Sequence, residues 1–197
     1  SEVRILSGAS FLHIGYSLMI IEGFTSGPAE TNTYLIGCPR TRRAALIDAP
    51  FQSARHMIKR AQALSLQIEM ILLTHSHWDH TADAACLSQE LRVPVWVHEA
   101  DAGNVRAPGS DGLPLYFPIE PVEPDVLLTD GQKFLVGELE FEVIHTPGHT
   151  PGGVCFYCSL EQVLFSGDTL FEATIGRIDF PTASPESMWK SLKRLSE

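Results

Sequence analysis

The apolar positions change their spacing several times along the chain, and each change predicts an element. Ser17 to Phe24, Thr33 to Cys38 and Ala44 to Asp48 are short and rich in β-branched or aromatic residues. They are separated by turn signals at Ser26-Gly27-Pro28 and Pro39-Arg40, so they read as strands of opening hairpins. From Gln52 to Leu66 the spacing lengthens: Ala54, Met57, Ile58, Ala61 and Leu64 recur at helical intervals. Met70 to Thr74 is a compact apolar run that predicts a buried strand, and Thr81 to Leu91 predicts a second helix. A further β-rich half follows, with strands predicted at Val95 to Val97, Phe134 to Val136, Leu139 to His145, Gly153 to Tyr157 and Gln162 to Phe165. A closing helix starts at Ser184-Pro185, where serine can cap and proline fits the first turn, and runs to the chain end. Between the halves, Arg106 to Asp125 carries Pro108, Pro114, Pro118, Pro121 and Pro124. Proline removes the donors that regular structure needs, so this is a long extended loop, a kind of segment that is often functional.

Hairpins with helices inserted, twice over, predict an α/β fold of two β-sheets sandwiched between outer helices. Periodicity leaves its topology open. A length of 197 residues suits one domain spanning 1–197, large enough to bury its own core. With 44% hydrophobic and 19% charged residues the composition is globular. A net charge of -10 disfavours a nucleic acid or an anionic membrane as partner and leaves a small-molecule substrate as the expected one. The apolar stretch from Phe11 to Ile21 is interrupted by His13, Gly15 and Ser17 and falls short of the ~18 residues of a spanning helix. It also lacks a basic flank and an A-x-A-like exit, so neither an anchor nor a signal peptide is expected and the location reads as cytoplasmic. Cys38, Cys86, Cys155 and Cys158 are too scattered to staple such a domain and are expected as free thiols. Cys155 and Cys158 form a C-x-x-C, but in a β-rich run a separation of three points side chains to opposite faces.

Candidate chemistry begins at His75-Ser76-His77-Trp78-Asp79-His80, directly after the strand Met70 to Thr74. A metal needs imidazoles and carboxylates converging from a rigid support, and a strand end opening into a helix start is one. Helix capping accounts for one polar residue there, not for three histidines within six positions. Two further strands end in the same manner. Thr146-Pro147-Gly148-His149-Thr150-Pro151-Gly152-Gly153 presents His149 from a loop stiffened by proline and glycine, and Phe165-Ser166-Gly167-Asp168-Thr169 presents Asp168. Singly, each is an ordinary loop residue; together, three strand ends each deliver a ligand-type side chain. His13, His56 and His98 lie outside these motifs and read as surface or packing residues.

These three motifs resemble the metallo-β-lactamase superfamily over nearly the whole chain. The resemblance implies an αββα sandwich of two mixed sheets flanked by helices. It implies a first metal site from His75, His77 and His149, a second from Asp79 and His80, and Asp168 bridging both. Asp48 matches an upstream acidic position that orients a ligand histidine; as a residue alone it is equally a turn residue before Pro50. His145 is a further candidate for contact with the ligand groups. Within the superfamily, Gly167-Asp168-Thr169-Leu170-Phe171 followed by Gly176-Arg177-Ile178-Asp179-Phe180-Pro181 is similar to the short glyoxalase II-like enzymes. The implied activity is thioester hydrolysis by a metal-bound hydroxide, with Asp79 and Asp168 as catalytic residues, Arg177 as a substrate residue, and one or two zinc ions, iron or manganese being alternatives. The Gly-Arg-x-Asp-Phe element also resembles persulfide dioxygenases, in which His77, His149 and Asp168 would hold one iron. A metal-binding module without turnover is the third reading. Family members continue past the final helix into a Gly-His-Gly loop, and no histidine lies beyond His149. The expectation is therefore a fold lacking its C-terminal end, with one tight metal and one labile one. Oligomeric state is left open.

Overall fold

In the computed structural model, residues 4–6 and 18–197 are described. His13 and the expectations for residues 11–17, including the start of the first predicted strand, lie outside them. Among the described residues eleven strands form two sheets. The larger is built from β2 (Ile20–Ser26), β3 (Thr31–Gly37), β4 (Arg43–Ile47), β5 (Gln67–Leu72), β6 (Val95–His98) and β7 (Val126–Leu128), in that spatial order. Its first half is antiparallel and its second half parallel. The smaller runs in the order β1 (Arg4–Leu6), β11 (Val163–Phe165), β10 (Val154–Cys158), β9 (Leu139–His145) and β8 (Lys133–Val136), antiparallel except for the β1–β11 pair.

Strand side chains alternate between faces, and that alternation builds the layers. Tyr34, Ile36, Ala45, Ile47 and Leu72 point at the smaller sheet and pack with Phe134, Phe141, Val143, Phe156 and Phe165. Leu35, Ala44, Leu46, Ile71 and Leu73 point the other way. They pack under α1 (Ala54–Ala63) and α3 (Ala84–Leu91) through Met57, Ala61, Ala84 and Leu87. Each large aliphatic or aromatic side chain buried this way contributes roughly 1.5–3 kcal/mol relative to exposure. On the far side α5 (Pro185–Leu195) starts as its sequence predicts. Ser184 Oγ accepts the Ser187 N–H, Pro185 occupies the first turn, and Met188 and Ser191 are buried.

Three differences from the predicted elements have local causes. The helix predicted from Thr81 to Leu91 is split into α2 (Trp78–Thr81) and α3. The break at Ala82 and Asp83 lets Asp83 N–H donate to the Ala49 carbonyl while its carboxylate accepts the Ala54 N–H and so caps α1. Strand β5 starts earlier than predicted, at Gln67, because parallel pairing with β4 begins at Arg43 and recruits polar Gln67 and Glu69 ahead of the stretch that pairs with β6. β1, β7 and α4 (Ala102–Arg106) were not predicted, being too short to show a period. Residues 107–125 contain no helix or strand, in line with the proline spacing. Asp125 pins the end of this loop, giving its N–H to the Val95 carbonyl and accepting the Val95 N–H.

The C-terminal ends of β4, β5, β9 and β11 lead directly into Asp48, His75, the His149 loop and Asp168. Val154 N–H donates to the Thr74 carbonyl at 2.9 Å and stitches the two sheets together where those ends meet.

Candidate metal centre

Three of the clustered imidazoles, those of His75, His80 and His149, are oriented by a bond at the outer nitrogen. His149 Nδ1 lies 2.8 Å from the Arg177 carbonyl, which can only accept, so Nδ1 carries the proton and Nε2 keeps its lone pair. His80 Nδ1 is 2.7 Å from Asp48 Oδ2, and His75 Nδ1 is 3.1 Å from Thr74 Oγ1. Asp48 is itself immobilised, accepting the Thr74 N–H and hydroxyl at 2.8 Å each. Such outer contacts fix tautomer and ring direction before any ligand arrives.

The inner atoms converge. His75, His77 and His149 each offer a ring nitrogen within 4.8 Å of the others, and His75, His80 and Asp168 do the same. His77 Nδ1 stands 2.9 Å from His149 Nε2. Asp168 spans the two groups, with Oδ1 3.3 Å from His80 Nε2 and Oδ2 3.4 Å from His149 Nε2. Asp79 Oδ2 is 3.5 Å from His80 Nε2 and accepts the Thr31 hydroxyl at 2.6 Å.

The charge states of His75, His77 and Asp168 fit a cation. Burial pushes His75 well below the ordinary imidazole range, and its three neighbouring imidazoles push it further. Burial, then His149 and His80, hold His77 down to about 3 against the attraction of Asp168. His80 goes the other way: burial opposes its charge, but Asp79, Asp48 and Asp168 outweigh it and raise it well above the ordinary value. Asp168 is drawn down to about 2 by His80, His149 and His77 although burial resists. Neutral imidazoles are metal ligands, and His75 Nε2 is fully buried with no hydrogen-bond partner. A buried polar atom left so costs about 1–3 kcal/mol, which a coordinated cation would offset. The donor set therefore fits a divalent metal.

Two packing features hold the His149 loop. At Gly148, where φ is +151°, a Cβ would come within 2.5 Å of the Met188 backbone, so α5 rests directly on the loop. Ser191 Oγ donates to the Pro147 carbonyl and Ser184 N–H to the Gly148 carbonyl. Opposite them, Asp101, which is 2% exposed, accepts the Ser76 N–H at 2.8 Å and the Gly152 N–H at 2.6 Å. One carboxylate thus ties the His75–His77 turn to the His149 loop, and a side chain on Gly152 would strike it.

The remaining predicted site residues lie further out. His145 gives Nε2–H to the Pro151 carbonyl and stacks on His98 at 4.0 Å, so it braces the loop that bears His149 and contacts that loop's backbone. The Arg177 side chain is mostly exposed, bonded through two nitrogens to Asp179 and lying over Phe180 at 4.3 Å; only its main-chain carbonyl reaches His149. Cys155 and Cys158 are buried away from the imidazoles, with Cys155 pushed up to about 11 by burial. Thr31, Thr74 and Asp101 were not foreseen. They sit in no motif, and their signal is a long-range contact.

A cleft of about 410 Å³ opens onto the centre between α2, the loop 107–125 and residues 171–180. With strand ends of two packed sheets delivering this donor set, the family model described as the metallo-beta-lactamase superfamily matches residues 26–197. The chain belongs to the metallo-β-lactamase superfamily. It shares that superfamily's αββα fold and His-rich site for metal. Among curated relatives, hydroxyacylglutathione hydrolase GloC of Haemophilus influenzae is 34% identical over 155 residues, covering 77% of this chain and 73% of the relative. Among solved structures, the BLEG-1 B3 metallo-β-lactamase has 32% identity and a TM-score of 0.80, covering 88% of this chain and 84% of that one. TTHA1623 in a di-iron-bound form has 36% identity and a TM-score of 0.71 with the same coverage. ETHE1 from Myxococcus xanthus has 26% identity and a TM-score of 0.74, covering 89% and 69%. Among the described residues no helix is long and apolar enough to cross a membrane.

Proposed function

We propose that this chain is a metal-dependent thioester hydrolase of the glyoxalase II type, with one domain over 1–197 and a small-molecule substrate. The observation that carries the reading is the convergence of three imidazoles on one buried point with Asp168 spanning to His80. In this reading His75, His77 and His149 hold a first ion, and Asp79 and His80 contribute to a second that shares Asp168. Zinc is the proposed metal, with iron and manganese as alternatives. A divalent cation in such a cradle supplies Lewis acidity, polarising a carbonyl oxygen and bringing the pKa of a water near neutral.

The chain's own residues do the rest. Asp79, anchored at Oδ2 by Thr31, orients the attacking water, and Asp168 keeps the two donor groups at fixed separation. His75 and His77 stay unprotonated at neutral pH and so remain available as ligands. A thiol leaving group has a pKa of about 8.5, so it departs as thiolate without a strong general acid in the cleft. The similarity to hydroxyacylglutathione hydrolase supports the choice of thioester.

The similarity to ETHE1 and the Arg177-Ile178-Asp179-Phe180 run support a second reading, a mononuclear iron persulfide dioxygenase using His77, His149 and Asp168. One experiment separates them. Protein loaded with zinc, manganese or iron is assayed for S-lactoylglutathione cleavage and, in parallel, for oxygen uptake with glutathione persulfide. Thioester cleavage without oxygen uptake is expected; stoichiometric uptake by the iron form alone would replace the hydrolase reading.

A further inference from the structure

The cleft above the centre has walls of its own chemistry. On one side stand Trp78, the residue between two candidate ligands, and Leu113, Pro114 and Tyr116 from the proline-rich loop; on the other stand Phe171 and Phe180. Tyr116 is 73% exposed yet held in place, its ring 5.2 Å from that of Trp78. The loop beneath it is pinned from several directions. Asp111 accepts from Asn104 Nδ2 at 2.9 Å and from Leu113 N–H at 2.9 Å, and Asn104 also donates to the Ser76 carbonyl at 2.8 Å. Phe117 packs on Phe51 at 4.3 Å and on Trp78 at 5.6 Å. Proline and these bonds have already taken up the loop's conformational entropy, so a ligand meets a preformed apolar wall and need not order it.

The cleft's one lining cation among the described residues, Arg177, is already bonded twice to Asp179, which makes the pair a neutral rim feature. An aromatic wall beside a hydrolytic centre recognises flat or branched apolar surface, through area burial and ring stacking.

We propose that the preferred substrate is a neutral thioester bearing an aromatic or bulky apolar arm, which lies against Trp78 and Tyr116 while its carbonyl reaches the metal centre. This rests on the hydrolase reading and names its substrate class. Reaction balance is that of hydrolysis: water adds its oxygen to the acyl carbon, the C–S bond breaks, and the products are a carboxylic acid and a thiol.

The test pairs turnover with binding. The metal-loaded protein and its Tyr116→Ala variant are assayed on phenylacetyl-N-acetylcysteamine, acetyl-N-acetylcysteamine and S-lactoylglutathione. Binding of the non-hydrolysable S-benzyl-N-acetylcysteamine is measured by calorimetry on metal-free and metal-loaded protein. The expected result is a kcat/KM for the phenylacetyl thioester at least tenfold above both others. Tyr116→Ala should lower it about fivefold or more through KM, a larger loss than on the acetyl thioester, and weaken the benzyl thioether in both metal states. S-lactoylglutathione matching or exceeding the phenylacetyl thioester would overturn the proposal, as would a Tyr116→Ala variant with unaltered KM and unaltered thioether binding. If no thioester turns over while the benzyl thioether still binds in a Tyr116-dependent manner, the hydrolase reading fails and the apolar recognition surface stands. If neither turnover nor binding occurs, both fail.

Discussion

Asp101 offers the sharpest test of how the centre is held, because one side chain joins two segments that carry candidate ligands. Replacing it with alanine removes two charge-assisted hydrogen bonds and leaves the Ser76 and Gly152 N–H groups without their acceptor at a site where Asp101 is 2% exposed. Each such bond is worth about 1.5–3 kcal/mol, and the variant no longer has to bury a carboxylate, so the net loss should be about 3–5 kcal/mol. For a chain of this length that is a fall in Tm of roughly 6–20 °C. Because the clamp also sets the distance between the His75–His77 turn and the His149 loop, zinc affinity should drop by about 10–100-fold. Asp101→Asn keeps one acceptor and turns the other oxygen into a donor facing an N–H, so it should lie between wild type and alanine on both scales. The assay is denaturant unfolding of the metal-free proteins together with competitive zinc titration. If Asp101→Ala lies within about 1 kcal/mol of wild type and binds zinc as tightly, the two segments are held by other contacts and the argument is refuted.

His75→Ala and Asp168→Ala should each lose nearly all bound metal by elemental analysis, whereas Arg177→Ala should keep it, since His149 is oriented by the Arg177 main-chain carbonyl; a metal-free Arg177→Ala would contradict that division. In the metal-free chain His77 is held down to about 3, against about 6.5 unfolded, so the unfolded state binds the proton first. Its stabilising contribution is therefore complete above about pH 6.5 and is lost as the pH falls toward 3. The unfolding free energy of wild type should fall relative to that of His77→Gln as the pH is lowered across that window, and a pH-independent difference would reject it. Cys86 is exposed while Cys38, Cys155 and Cys158 are buried, so a thiol reagent should find one fast group in the native chain and four after denaturation. Two or more fast groups in the native chain would contradict the burial of Cys38, Cys155 and Cys158.

How much was legible in advance depended on whether the information was local. Apolar spacing predicted α1 and most strands, because a helix or strand that must bury one face writes its period into consecutive residues, and the Ser184-Pro185 start signal predicted α5. The candidate ligands His75, His77, Asp79, His80, His149 and Asp168 were visible because ligand-type residues are few and here cluster at strand ends. The proline-rich loop was legible for the opposite reason, its residues being unable to join a ladder. Contacts between distant segments leave no such mark. Nothing near Asp101 announces that its two oxygens take N–H groups from Ser76 and Gly152, twenty-five and fifty-one positions away. Nor does Thr31 announce Asp79, or Thr74 its place between Asp48 and His75. The split between α2 and α3 was invisible because helical propensity runs through Ala82 and Asp83, and only the tertiary bonds of Asp83 to Ala49 and Ala54 stop it. Arg177 was placed near substrate from its motif, yet only the folded chain shows that its carbonyl orients His149 while its guanidinium is engaged by Asp179. The sequence by itself determined the donor types and their strand-end positions, because those are properties of single residues and their neighbours. Tertiary structure alone decided which nitrogen of each imidazole faces inward and how the cleft is walled, because both depend on groups brought together only when the two sheets pack.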